Sequence, residues 1–332
     1  MNNKILISVI IPTFNSSKTL LLTLSSLEKS KFGKDKFEVL VIDDESTDDT
    51  QDVIIKFKKT NKLQLNYFKQ INSGPGIARN LGLKNARGNV VAFTDADCIV
   101  DRNWLSAIYK SIIIDGNTII GGHTYTNDVS IFPWKVAPIG KKCKITANLA
   151  VKYSQLKGII FCKSFKKPLC EDTDFIIRIQ NLGYTFKHVS EMKIMHPLHI
   201  CNIKQMTERL IYRKDEVLLY KKYGKEINGS FSPIFRPMLF RLSPITIIFV
   251  FSLAFFIFTL KMNYILPVFY FCILFIILFI MYFYKYLIIS NVKNIHISIR
   301  DRAKTFIFLL VYIPTFILTR IIGSINYKFF MV

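Results

Sequence analysis

Residues 5–15 read ILISVIIPTFN, and this stretch decides the fold. Residues 5–11 form an apolar run rich in β-branched side chains, which is typical of a strand buried on both faces of a parallel sheet. A polar turn follows, and Ser16 or Ser17 can cap a helix whose leucines repeat at helical spacing. A buried strand that leads at once into a helix predicts an α/β protein.

The alternation of strand and helix continues along the chain. Further strands are predicted at residues 37–42, 63–68 and 89–93, with helices at residues 48–58 and 74–85 between them. This order predicts a Rossmann-like, mostly parallel twisted sheet with helices on both faces. The ligand crevice of such a sheet lies beyond the carboxyl ends of its strands, which is where the polar motifs fall.

Composition limits the classes of partner. The 332 residues carry a formal net charge of +22, and 51% of them are apolar, which argues against a disordered chain. Basic residues are dense at 141–167 and 204–225, near the apolar last third, so anionic lipid explains the charge better than nucleic acid, and no nucleic-acid partner is expected. The six cysteines form no CxxC pair, which favours reduced thiols over a zinc site or a disulfide framework.

The last third of the chain contains three apolar runs, at residues 242–260, 264–289 and 305–325. A helix needs about 20 residues to cross a bilayer, so these runs predict an all-α transmembrane region at residues 242–325. Basic residues near the ends of the runs place residues 1–241 on the cytoplasmic side. The sequence therefore predicts a multi-pass protein of the cell membrane whose catalytic domain faces the cytoplasm.

The connecting region, residues 201–241, is also basic. Residues 203–223 mix apolar and basic side chains, which predicts an amphipathic helix lying in the membrane interface. A helix that packs against the sheet is an equally good interpretation.

Two acidic motifs follow predicted strands. Asp43 and Asp44 end the second strand, where a carboxylate can accept hydrogen bonds from a base or a ribose, although Ser46 or Thr47 in the same motif can also cap a helix. Asp95 and Asp97 are two residues apart in extended chain and so project to one side. Two neighbouring carboxylates favour a cation between them, and oxygen ligands suit Mg²⁺ or Mn²⁺.

Two further motifs lie on predicted helices. Arg79 and Asn80 can reach a ribose or a diphosphate, or can form an ordinary turn of a surface helix. Residues 171–174 read EDTD just before an apolar helical pattern. An acidic side chain held there can act as a general base, and the same motif is also a common helix start.

Taken in order, the motifs at residues 8–15, 41–48, 76–82, 93–97 and 171–174 resemble those of family 2 glycosyltransferases with the GT-A fold. The resemblance covers about residues 5–200 and implies a catalytic domain at residues 1–200. It also implies inverting transfer of a sugar from a UDP- or GDP-sugar, assisted by a divalent metal, Mg²⁺ or Mn²⁺.

The resemblance assigns roles by position. Asp172 is implied as the base, and Asp95 and Asp97 as metal-binding residues. His196 has two equally good interpretations. It is either a third metal ligand or an ordinary histidine at the end of a strand. The implied nucleotide-sugar contacts are Pro12, Thr13, Asn15, Asp43, Asp44, Arg79, Asn80, Asp95 and Glu171. Residues 146–150 are similar to a segment that lies beside the donor sugar in relatives.

The acceptor is less clearly indicated. Residues 159–167 depart from the glycine-rich stretch that relatives carry before the acidic pair, and the QxxRW motif of processive synthases is absent. Transfer of one sugar per encounter to a lipid-linked glycan or glycolipid is therefore predicted. The alternatives are a non-catalytic sugar-nucleotide-binding subunit of a membrane complex and a processive polysaccharide synthase.

Overall fold

A computed structural model describes residues 5–126, 135–136, 144–197, 199–200, 208, 211–212, 214–224, 322 and 325–327. The strands are β1 (Ile7–Thr13), β2 (Phe37–Asp43), β3 (Leu65–Lys69), β4 (Val90–Phe93), β5 (Ile99–Val100), β6 (Ile119–Tyr125), β7 (Lys135–Val136), β8 (Leu149–Lys152), β9 (Phe186–Met195) and β10 (His199–Ile200). The helices are α1 (Ser17–Glu28), α2 (Thr50–Thr60), α3 (Pro75–Asn85), α4 (Trp104–Tyr109), α5 (Glu171–Gln180) and α6 (Lys214–Tyr223). A π-helical turn, Lys110–Ile114, continues α4, and two 3₁₀ turns, Thr146–Asn148 and Tyr153–Gln155, flank β8.

The main sheet has the strand order β3-β2-β1-β4-β8-β6-β9-β5. In its first half, β1 pairs in parallel with both β2 and β4, and β2 with β3, as the sequence predicts. The second half is mixed, because β8 runs antiparallel to β4 and β6, while β6 and β9 are parallel. The expectation of a mostly parallel sheet therefore holds for the first half and is corrected for the second. No comparable signal marks the second half in the sequence, since β9 is half exposed and lacks a continuous apolar run.

Strand β1 lies at the centre of two apolar layers. Ile7, Val9 and Ile11 pack on one face with residues of α1, α2 and α4, whereas Ile10 packs on the other face with residues of α3 and α5. A Cβ atom at Gly82 of α3 would lie 2.5 Å from Cγ2 of Ile10, so only glycine permits this approach of helix to strand. The apolar run of residues 5–11 is therefore buried on both faces, as predicted.

A polar cluster fastens the amino ends of β1, β2 and β4. The fully buried Glu38 accepts hydrogen bonds from Ser8 Oγ at 2.7 Å and from the backbone N–H and Nε of Arg87 at 2.9 and 2.8 Å. Ser8 Oγ in turn accepts from the backbone N–H of Gly88 at 2.8 Å. Because buried polar groups are stable only when they are paired, this cluster fixes the three strand starts against one another.

Helix α6 packs against α5. Leu219 is fully buried in a small apolar cluster with Phe165 and Ile177. The fully buried Asp174 of α5 accepts a hydrogen bond from Tyr223 Oη at 2.7 Å and forms an ion pair with Lys222 at 3.3 Å. The described part of this region therefore contains a helix that packs against α5, and its predicted place in the membrane interface stays a prediction.

The membrane predictions need correction. In the part of the chain that the structure describes, no helix is both long enough and apolar enough to span a bilayer, so the predicted multi-pass location in the cell membrane is not supported. The predicted spans at 242–260 and 264–289 lie outside the described residues, as does the span at 305–325 apart from residues 322 and 325.

Replacing Glu38 by Ala should lower the free energy of unfolding by about 2–3 kcal/mol, because Ser8 and the backbone of Arg87 would lose a charged acceptor in a buried place. Urea unfolding followed by circular dichroism measures this change. The matched control is Asp115→Ala, which removes an exposed carboxylate and should change stability by less than about 0.5 kcal/mol. Equal effects of the two variants would contradict a structural role for the cluster.

Candidate active site

The carboxyl ends of β1 and β2 bring three predicted site residues, Pro12, Thr13 and Asp43, to one edge of the sheet. Asp43 is fully buried and accepts hydrogen bonds from the backbone N–H of Ser46 at 2.8 Å and from Tyr67 Oη at 2.7 Å. Burial and this bond to Asp43 raise the pKa of Tyr67. Thr13 is also buried, and its carbonyl accepts from the N–H of Asp44 at 2.9 Å. Pro12, one residue earlier in β1, is partly exposed.

Asn15 joins the loops that follow β1 and β2. Its Oδ1 accepts a hydrogen bond from the N–H of Thr47 at 2.8 Å, and its own N–H donates to Ser46 Oγ at 2.9 Å. It has a positive φ of 48°, a conformation that asparagine tolerates better than most residues. Ser46 and Thr47 therefore tie two loops together, whereas helix α2 begins only at Thr50.

Asp44 is directed into the protein. Its two carboxylate oxygens accept hydrogen bonds from Gln70 Nε2 at 2.7 Å and from the backbone N–H groups of Ser73 and Gly74, both at 2.8 Å. These bonds shape the loop before α3. At Gly74, where φ is +92°, a Cβ atom would lie 2.1 Å from the carbonyl oxygen of Lys166. Asp44 thus organises a loop at the site, and its predicted contact with the nucleoside stays a prediction.

Asn80 also has a structural partner. Its side chain donates to the carbonyl of Phe161 at 2.9 Å and accepts from the N–H of Phe161 at 2.7 Å. The ring of Phe161 stacks on that of Phe175 in α5, with centroids 4.1 Å apart. The segment before α5 is therefore fixed to α3 by a two-point amide contact, a role that the sequence did not predict.

Arg79 connects three elements. Its guanidinium is almost fully buried, donates to Asp95 Oδ1 at 2.8 Å and to Glu171 Oε1 at 3.1 Å, and lies 5.6 Å from the ring centroid of Phe161. Asp95 follows β4 and Glu171 begins α5, so one buried cation holds α3, β4 and α5 together. Two buried atoms of this group make no hydrogen bond within the described part of the protein, namely Nε of Arg79 and Oε2 of Glu171. The sequence suggested a ribose or diphosphate contact for Arg79, and the structure places it between two carboxylates.

Glu171 and Asp172 have perturbed acidities. Burial, together with the neighbouring charge of Asp172, raises the pKa of Glu171, and burial raises the pKa of Asp172 as well. Arg79 opposes both shifts, because its positive charge favours the ionised carboxylates. Asp172 is partly exposed, and it accepts a hydrogen bond from the N–H of Thr173 at 2.8 Å and another from the backbone of Thr146.

The segment at residues 146–150 is held by Asn148. Its Oδ1 accepts from Trp104 Nε1 at 2.9 Å, and its Nδ2 donates to the carbonyl of Met192 at 3.0 Å. A Cβ atom at Gly122 would lie 1.9 Å from that same carbonyl oxygen. Sequence reasoning did not identify Asn148 or Gly122 as the residues that position this segment beside Asp172.

A candidate metal site lies on the other side of Asp95. Asp97, Cys98 and His196 each offer a ligand atom, and the three atoms lie within 4.8 Å of one another. His196 Nε2 is 3.7 Å from Asp97 Oδ1, so the structure brings together two of the predicted metal ligands. Asp95 forms an ion pair with Arg79 through Oδ1, and its predicted role as a metal ligand stays a prediction. Cys98 was missed because no CxxC pattern marks it, although it directly follows Asp97 in the sequence.

Replacing Arg79 by Met should destabilise the fold by about 3–5 kcal/mol near neutral pH, because a buried carboxylate would lose its counter-ion. The size of the loss should depend on pH. Burial raises the pKa of Glu171 above its ordinary 4.5, so this carboxylate binds a proton more tightly in the folded state than in the unfolded state. The contribution of Glu171 to the free energy of unfolding therefore falls as the pH rises above 4.5. Without Arg79 that pKa rises further, so the loss should be larger at about pH 8 than at about pH 5.

Urea unfolding of both proteins at the two pH values measures this difference. Arg102→Met removes an exposed arginine and serves as the control, with a small and pH-independent effect expected. A loss in Arg79→Met that does not change with pH would show that the guanidinium does not offset the charge of these carboxylates.

Two solved structures share this fold. The mannosyltransferase PcManGT from Pyrobaculum calidifontis, in complex with GDP-Man and Mn²⁺, superposes with a TM-score of 0.59 over 95% of this chain and 86% of that chain, at 17% sequence identity. A crystal structure of Staphylococcus aureus TarS in complex with UDP-GlcNAc gives a TM-score of 0.51 over 98% of this chain and 93% of that chain, at 19% identity. These likenesses show a GT-A-like mixed α/β fold.

Sequence comparisons give the family. The poly(ribitol-phosphate) beta-N-acetylglucosaminyltransferase TarS of Staphylococcus aureus strain Mu50 is 41% identical over 98 residues, which are 30% of this chain and 17% of that protein. Glycosyltransferase AglE of Haloferax volcanii is 31% identical over 125 residues, with 36% of this chain and 41% of that protein covered. The chain thus matches less than half the length of these relatives. The family described as Glycosyl transferase family 2 matches residues 8–173, half of the chain. The protein belongs to glycosyl transferase family 2.

Proposed function

We propose that this protein is an inverting glycosyltransferase that moves a sugar from a nucleoside-diphosphate sugar to an acceptor hydroxyl, with Asp172 as the general base. The observation that carries the proposal is the position of Asp172. It lies in the first turn of α5, partly exposed, directly after Glu171, which Arg79 links to Asp95 at the end of β4. The buried guanidinium of Arg79 thereby links the start of α5, which carries Asp172, to Asp95.

The donor would lie along the carboxyl edge of β1, β2 and β4. Pro12, Thr13 and Asn15 line the end of β1, Asp43 ends β2, and Asp95 follows β4. Such an edge is where parallel α/β sheets bind nucleotides. The two solved relatives are complexes with UDP-GlcNAc and with GDP-Man, which supports a UDP- or GDP-sugar as the donor.

Asp97 and His196 would hold the Mg²⁺ or Mn²⁺ ion. The complex of PcManGT with Mn²⁺ supports this assignment, as does the proximity of the two side chains. When bound, the ion would supply charge neutralisation for the departing diphosphate. The adjacent Asp95 is held at one oxygen by Arg79, which leaves its other oxygen for the donor.

The reaction that these residues support is a single displacement. Asp172 accepts the proton of the acceptor hydroxyl as that oxygen bonds to the anomeric carbon. The bond from this carbon to the diphosphate oxygen breaks on the opposite face, and the electron pair leaves with the nucleoside diphosphate. Inversion follows because one displacement occurs and no sugar is bound covalently to the protein. Catalysis then depends on positioning, on one base and on charge stabilisation.

Arg79 tunes the base in this scheme. Burial makes these carboxylates more basic than ordinary ones, while the charge of the guanidinium opposes that rise in pKa. A general base works best when its pKa lies near the working pH. The structure therefore supports Asp172 as a base and Arg79 as the residue that positions and tunes it.

The acceptor side would be formed by the segment before α5. Its main chain is fixed by Asn80, whereas Lys163, Lys166 and Lys167 are exposed. Exposed lysines favour an acceptor that carries negative charge, such as a phosphate-containing glycan or a lipid-linked glycan. The name of the TarS relative, which acts on poly(ribitol-phosphate), supports an acceptor of this class.

Replacing Asp172 by Asn should lower kcat by about 10²–10⁴-fold, because the variant keeps the shape of the side chain and loses its basicity. Donor binding should change by less than about threefold, since Asp172 is not among the donor contacts. Nucleotide release from a panel of UDP- and GDP-sugars with Mn²⁺ measures turnover, and calorimetry measures binding. The control, Asp115→Asn, removes an exposed charge away from the site and should be fully active. An active Asp172→Asn enzyme would overturn the assignment of Asp172 as the base. Donor binding without turnover by the unsubstituted protein would leave only the non-catalytic binding role.

The pH dependence of kcat/KM gives a second test. Burial raises the pKa of Asp172 to about 6, so activity should fall as pH drops through that value and the base becomes protonated. In Arg79→Gln the acidic limb should move to higher pH, because the charge that lowers this pKa is lost. Arg102→Gln should leave the limb in place. A limb near pH 4, about the value of an exposed aspartate, would contradict this assignment.

A further inference from the structure

We infer that Cys98 is a third protein ligand beside Asp97 and His196, so that this centre binds a thiophilic divalent cation such as Zn²⁺ or Co²⁺. The inference rests on the metal site of the proposed function and extends it in two ways. It adds a sulfur ligand, and it extends the cations that the centre can bind from Mg²⁺ and Mn²⁺ to thiophilic ions.

The spacing of the ligand atoms is that of a metal site. Cys98 Sγ lies 3.5 Å from Asp97 Oδ1, and His196 Nε2 lies 3.7 Å from the same oxygen. A tetrahedral centre with a metal–sulfur distance of about 2.3 Å and metal–nitrogen and metal–oxygen distances of about 2.0 Å separates its ligand atoms by roughly 3.3–3.6 Å. The two separations from Asp97 Oδ1 are close to this range, and all three ligand atoms lie within 4.8 Å of one another, so modest shifts would bring them onto one ion.

His196 is oriented for coordination. Its Nδ1 lies 2.9 Å from the carbonyl oxygen of Pro197, and a carbonyl can only accept, so Nδ1 carries the proton of the neutral ring. The lone pair is then on Nε2, the nitrogen that faces Asp97. Metal-binding histidines usually donate their second nitrogen to a carbonyl or carboxylate in this manner. A cation between Nε2 and the carboxylate would be attracted to both.

Strand pairing places Cys98 opposite His196. The short strand β5 pairs antiparallel with β9, with Ile99 opposite Met195 and Val100 opposite Ile194. One step further along this register, Cys98 meets His196. Both side chains are buried, whereas the Asp97 side chain remains 18% exposed and gives solvent and substrate access to the centre. The sheet itself therefore brings the sulfur and the imidazole together.

A sulfur ligand changes the preference among cations. Thiolate binds Zn²⁺ and Co²⁺ strongly, whereas Mg²⁺ prefers oxygen ligands in an octahedral arrangement. On coordination the thiol releases its proton to solvent, and no electron transfer is involved. We therefore expect Zn²⁺ to bind more tightly than Mg²⁺ and to displace it from the centre.

Titration of the full-length protein with Co²⁺ tests this inference, because a thiolate bound to Co²⁺ gives a near-ultraviolet charge-transfer band. The band should appear in the unsubstituted protein and in Cys162→Ser, whose thiol lies beside Lys222 away from the centre. It should be absent in Cys98→Ser. Calorimetry should show Zn²⁺ affinity lowered at least about tenfold in Cys98→Ser, with Mg²⁺ affinity changed less than about twofold.

X-ray absorption at the zinc edge of the unsubstituted protein gives a test that does not depend on a variant that folds. A sulfur neighbour at about 2.3 Å from zinc is expected. A shell of nitrogen and oxygen alone, or a cobalt band that persists in Cys98→Ser, would overturn the inference. Binding of Co²⁺ without sulfur would refute only the role of Cys98. Failure to bind any divalent ion would refute the metal site of the proposed function as well.

Discussion

The buried ion pairs of Arg79 with Asp95 and Glu171 are the interaction on which the crevice depends. A guanidinium removed from water is destabilising by several kcal/mol unless carboxylates surround it, so the fold can bury Arg79 only where both partners are in place. The three groups come from α3, the end of β4 and the start of α5. A shift of any one of these elements would leave a buried charge unpaired, and the crevice is rigid for that reason.

The fold could be predicted from the sequence only in part. Strands β1, β2 and β4 are mostly apolar and buried, and helical patterns separate the strands up to β4. The sequence predicted these strands within a few residues. Strand β9 has mostly exposed or half-exposed side chains, and its pairing with β6 shifts register between Gly122 and His123. Such a strand is set by tertiary contacts, among them the close approach at Gly122, which a periodicity argument does not detect.

The sequence predicted which residues lie at the site, but it did not predict which groups they contact. The acidic motifs do converge at the carboxyl edge of the sheet, because the order of strands requires it. Asp44 and Asn80, however, bind backbone groups of other loops, and Arg79 contacts a carboxylate 92 residues away along the chain. Cys98 was overlooked since its neighbour His196 is brought close by strand register alone. Pairings at such distances in sequence leave no local pattern.

The segment before α5 is anchored by its main chain and not by its exposed side chains. Asn80 forms hydrogen bonds with both the N–H and the carbonyl of Phe161, and the carbonyl of Lys166 lies close to Gly74. The path of this loop is therefore fixed by contacts of its main chain with Asn80 of α3 and with Gly74, the residue before α3. The exposed side chain of Lys163 takes no part in that anchoring. The side chain of Lys163 can therefore be exchanged without a change in the path of the loop or in the position of α5, which follows it.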